Sequence, residues 1–71
     1  MAGRPSADWP EGAEFWNVGG APAVIAGAAA VLMASDGTWD FVTPSGIRAD
    51  GVRVDAARFD ELVSQRSKPP A

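Results

Sequence analysis

The sequence predicts a small α+β domain. It expects an antiparallel sheet of two β-hairpins, at about 30–43 and 47–54, with an N-terminal edge strand, a C-terminal helix at about 55–65, and extended arms at both ends. Three observations carry that expectation. Asp36-Gly37 and Asp50-Gly51 each stand between short apolar runs, and Asp-Gly is a strong local hairpin signal. Ala56, Phe59, Leu62 and Val63 repeat at helical spacing behind Asp55, a favoured capping residue. A chain of 71 residues with a net charge of −3 has room for one domain and too little charge to oppose folding.

The expected organisation is an arm over 1–12, a domain over 13–66 and a tail over 67–71. The arm holds Pro5 and Pro10 and a single large apolar group, Trp9. It lacks the ordered basic, apolar and small-residue regions of a secretory signal. Glu14–Val18 reads as an edge strand stopped by Gly19 and Gly20. Phe15 and Trp16 then face opposite ways, so one of them needs cover from outside a single-layer core.

Val18–Ala34 is an uncharged run of 17 residues, rich in Ala, Gly and Val. Residues 23–26 fit a further strand or a short helix, since Pro22 suits a first helical turn and alanine favours helix. A membrane span through 18–34 is the minority expectation, because the run is short and weakly apolar. A two-residue turn at Asp36-Gly37 pairs Ala34 with Trp39 and Leu32 with Phe41, putting those four on one face. Pro44, Ser45 and Gly46 read as the turn between hairpins. A matching turn at Asp50-Gly51 sets Ile47 against Val54 and Arg48 against Arg53, and directly opposed like charges call for a nearby carboxylate or an acidic partner. Val54 and Phe59 bracket Asp55 at the spacing of a hydrophobic staple, which strengthens the last helix. Pro69 and Pro70 cannot continue it.

The chemistry is sparse. No cysteine and no histidine are present, so disulfides, thiol nucleophiles, the common zinc ligand sets and His-based triads are all excluded. Of the nine carboxylates, Asp36 and Asp50 are accounted for by turns, Asp55 by a cap, and Asp60 and Glu61 by a wet helix face. The remaining Asp8, Glu11, Glu14 and Asp40 form no recognisable constellation. The expectation is no enzyme, no cofactor and no metal site. The acidic balance disfavours nucleic acid as a partner.

Three tryptophans and three phenylalanines exceed what one thin layer hides. We therefore expect partner contacts at Trp9, Phe15, Trp16, Arg48 and Arg53, since aromatic and arginine side chains dominate interface hot spots. The competing expectation for Arg48, Arg53 and Arg58 is internal pairing with Asp40, Asp50, Asp55 and Glu61. The functional expectation is a soluble structural accessory subunit of a homo- or hetero-oligomeric assembly, cytoplasmic or virion-associated. The usage of arginine over lysine, with abundant Ala, Gly, Asp, Val and Pro, is that of GC-rich bacterial or phage genes, so a capsid or tail component fits. An acidic inhibitor of a single enzyme or nuclease is the alternative from another class.

Overall fold

Glycine turns and strand alternation together set the architecture, seen in a computed structural model that describes residues 6–67. A short 3-10 turn, Ser6–Asp8, precedes β1 (Glu14–Val18), β2 (Ala21–Ala26), β3 (Ala29–Met33) and β4 (Trp39–Val42). Then come α1 (Pro44–Asp50), β5 (Val52–Val54) and α2 (Ala56–Ser67). The strands form one antiparallel sheet in the order β4-β3-β2-β1-β5. The α+β class, the antiparallel sheet and the C-terminal helix are as the sequence predicts.

Residues 14–33 make a meander. Gly19 and Gly20, at φ 60° and 94°, form the two-residue loop between Val18 and its partner Ala21. Positive φ at both central positions is what a type I′ turn demands. Asn17 supports the loop by accepting from the Gly20 amide at 2.7 Å. Gly27, at φ 62°, takes the first place in the next two-residue loop, between Ala26 and Ala29. The stretch weighed as a helix or a membrane span is therefore a β2–β3 hairpin. Pro22 sits one residue outside the β2–β3 ladder, where a missing N–H is tolerated.

Asp36-Gly37 does turn the chain, with a different register. Only Gly37 has positive φ, at 88°, so the I′ requirement at Asp36 fails. The Ala34 amide instead donates to the Thr38 carbonyl at 2.8 Å, leaving a three-residue loop over 35–37. Trp39 consequently pairs with Met33 and Phe41 with Val31, one residue away from the expected partners. A slip of one residue exchanges the faces of a strand. Trp39 and Phe41 thus join Val31 and Met33, and Asp40 joins Leu32 on the other side.

The second expected hairpin, 47–54, is replaced by a helix and a strand. Thr43 caps α1, its hydroxyl accepting from the Gly46 amide at 3.3 Å, and Pro44 occupies the first turn. The helix ends where the Gly51 amide donates to the Ile47 carbonyl at 2.7 Å. Gly51 is there for space: a Cβ would lie 2.7 Å from that carbonyl oxygen and 2.8 Å from Val18 Cγ2. β5 then pairs with β1, Phe15 opposite Val54 and Trp16 opposite Arg53. This makes β1 an interior strand and leaves β4 and β5 as the edges. Arg48 and Arg53 are not opposed.

A helix lies on each face. Ile47 of α1 packs on Ala23, Ile25 and Ala30, flanked by Trp16, Val18 and Leu32. On the other face Phe59 and Val63 of α2 pack on Val24 and Met33, flanked by Phe15, Val31, Trp39 and Val54. Phe15 and Trp16 do face opposite ways, and α1 supplies the second cover. Asp55 caps α2, accepting from the Arg58 amide at 2.8 Å. Phe59, Leu62 and Val63 of the expected stripe are buried, while Ala56 is exposed. At the far end Arg66 Nε donates to the Met33 carbonyl at 3.0 Å. Ser67 still belongs to the helix, and the rest of the expected tail lies outside the described residues, as do residues 1–5 of the arm.

Two outcomes test this architecture. Gly51→Ala costs about 2 kcal/mol through overpacking, a fall in Tm of roughly 10 °C for a domain this small. An unchanged Tm would contradict the close approach of α1 to β1. The hydroxyl of Thr38, and then its amide, donate to Asp36 and hold its carboxyl below the ordinary 3.8. Because the folded value is depressed, that stabilisation is present above the unfolded value and is lost as pH falls through the folded one. The Tm gap between the wild type and Asp36→Asn is therefore widest near neutral pH and closes in acid.

Candidate functional site

β4 is short, borders the sheet and shows different chemistry on its two faces. Towards α2 it projects Trp39 and Phe41, and towards α1 it projects Asp40 and Val42. The N-terminal segment folds back beside the first pair. The Ser6 amide and hydroxyl donate to the two carboxylate oxygens of Asp60 at 2.6 and 2.9 Å. This anchorage brings Trp9 edge-to-face onto Trp39, with ring centroids 5.2 Å apart and planes at 77°. The expected extended arm is, from Ser6 onward, a docked segment.

Between Trp9, the β2–β3 hairpin and β4 runs an apolar groove of about 410 Å³, lined by Trp9, Val24, Ala26, Val31, Trp39 and Phe41. Phe41 forms its outer wall and is 86% exposed. Trp39 Nε1 is shielded from solvent and has no hydrogen-bond acceptor among the described residues. On the opposite face, Asp40 is exposed, and its carboxylate makes no hydrogen bond or ion pair among the described residues. Asp50, equally without a partner there, lines a shallow hollow with Leu32, Val42 and Ile47.

The five residues expected to meet partners are not brought together. Trp9 is in the groove wall. Phe15 is half-buried on the α2 side, 4.4 Å from Phe59 between centroids. Trp16, half-buried under α1, donates from Nε1 to Glu14 at 3.2 Å, and Arg53 sits 5.8 Å above its ring. Arg53 also pairs with Glu14 at 3.8 Å, at the β5 edge. Arg58 pairs with Glu61 on α2. Arg48 is exposed on α1. Trp39 and Phe41, which sequence reasoning missed as surface groups, alternate with Asp40 in plain view. What concealed them was the one-residue error in the turn, which put them on the other face.

Among the described residues, no group of three or more carboxylates could hold a metal ion, and no helix is long and apolar enough to cross a membrane. Comparison with known proteins finds no family model, no curated protein and no solved structure that matches this chain. The groove and its strand edge are thus the features from which function has to be argued.

Trp9→Ala removes one wall of the groove together with an aromatic pair worth about 1 kcal/mol beyond its burial. Expected are a lower Tm, loss of near-UV circular dichroism from the Trp9–Trp39 pair, and faster exchange of the Ser6 amide. A near-UV spectrum identical to wild type would show that Trp9 does not dock as described.

Proposed function

We propose that this protein is a non-enzymatic protein–protein interaction module, a structural accessory subunit that joins a larger multichain assembly through β4 and its groove. One observation carries the reading. Phe41 stands 86% exposed on an edge strand, beside an apolar groove whose other walls are tryptophan, valine and alanine. Contiguous apolar surface beside a free strand edge marks interaction sites in soluble domains and is otherwise an aggregation hazard. Aromatic anchors at such places supply most of the energy of an interface.

The composition points the same way. Without histidine or cysteine, the chain lacks the groups that most often act as bases, nucleophiles and ligands. The carboxylates of Asp36, Asp55, Asp60, Glu14 and Glu61 are engaged in a turn, a helix cap, a docking contact and two ion pairs, dispersed over the molecule. An accessory subunit needs shape and stickiness, and both are available at β4.

The test uses the protein in extracts of its own cells. Wild-type chain should elute in a complex well above its own 7.3 kDa. Phe41→Ser should elute mainly as the free monomer, with its Tm hardly changed, since exposed substitutions cost within about 0.5 kcal/mol. If both elute as monomers, or the variant stays in the complex, the reading falls.

A further inference from the structure

We infer that the β4 edge receives an extended segment of a different protein, in which cationic side chains alternate with apolar ones. This rests on the interaction-module reading and names the occupant of its site.

Backbone geometry supplies the first part. Among the described residues β4 pairs only with β3, which leaves its outer N–H and C=O groups there to build another ladder. A strand added there lies about 4.8 Å away and shares the pleat of β4, residue by residue. Its residues opposite Trp39 and Phe41 must face the groove. Those opposite Asp40 and Val42 must face the α1 side.

Charge supplies the second part. On the groove side every named wall is apolar, so the incoming residues there are apolar. On the other side the nearest charge is Asp40, which has no partner among the described residues, with Asp50 in the adjoining hollow. The residue opposite Asp40 is therefore best a lysine or an arginine, because opposite charges stabilise a cross-strand pair and like charges weaken it. Alternation of period two follows directly from the two unlike faces.

The same carboxylate argues against a second copy of this chain. Pairing of β4 with itself about a two-fold axis brings both Asp40 side chains to one face, directly opposed or on the near diagonal. β5, the other edge, is a poorer receptor. It has three residues, and its central Arg53 is already engaged with Glu14 and Trp16.

The probe is a short blocked peptide in which lysine or arginine alternates with valine or phenylalanine, compared with its glutamate counterpart. Both are titrated into the full-length, isotope-labelled protein and followed by amide and indole NMR shifts. The cationic peptide should shift the amides of 39–43 and the Trp39 indole saturably, and bind at least about fivefold tighter than the acidic one. Asp40→Asn should reduce the preference, and Asp40→Lys should reverse it. Both substitutions are at an exposed site, and an unchanged Tm establishes that the fold is intact.

Equal binding of the two peptides, shifts centred on β5, no binding, or protection of the β4 amides by self-association would each overturn the inference. If the cellular complex still depends on Phe41 in that event, the module reading stands and only its occupant was misassigned. If the complex is also absent, both fall.

Discussion

Phe59 is the contact on which the rest of the molecule hangs. It is fully buried, its ring lying 4.4 Å from Phe15 and 6.3 Å from Trp39 between centroids. One side chain of α2 thereby ties an interior strand to an edge strand. Trp39 in turn carries Trp9, so an aromatic row crosses the face from β1 to the N-terminal segment. A buried Phe is worth about 3–5 kcal/mol on truncation, against a total of about 4–10 kcal/mol for a domain of this length. The cap at Asp55, the Val54–Phe59 staple and the Arg66 contact to Met33 all serve to hold that ring in place.

The other face solves a different problem with smaller parts. β2 contributes buried Ala21, Ala23 and Ile25, and β3 adds Ala30. Alanines remove little apolar area from water, but they let a helix come close. One side chain of α1, Ile47, then suffices to close the layer, with Trp16, Val18 and Leu32 around it. The alanine content that makes the composition look poor in core is what makes room for a helix of only seven residues. A two-sided sheet, and not a single thin layer, is how this chain gives Phe15 and Trp16 partial cover at once.

Legibility in the sequence followed the range of the signals. The C-terminal helix was plain because its cap, staple and stripe lie within one short segment. β1 was readable from its aromatic run, though its place inside the sheet was not. That place depends on Val52–Val54 returning from across the chain. Asp50-Gly51 misled because its dipeptide has two uses: the glycine serves tight approach to Val18 and not a hairpin. Thr43 and Pro44 carry the opposing helix-start signal, whereas the sequence alone reads Thr43 as the end of a strand and Pro44, Ser45 and Gly46 as a turn. At the candidate site, Trp9 was identified from its isolation in the arm. Phe41 was hidden by a turn whose loop length cannot be told from Asp-Gly alone.

The β4–α1–β5 connection straps one edge of the sheet to the other, and its effect is felt during synthesis. Strands β1 to β4 can zip up as neighbours emerge from the ribosome. β1, however, keeps one flank bare until residue 54 is out, and Phe15 waits longer still for Phe59. Until then the nascent chain shows two adjacent aromatics beside an open ladder, a combination that invites misassembly between chains.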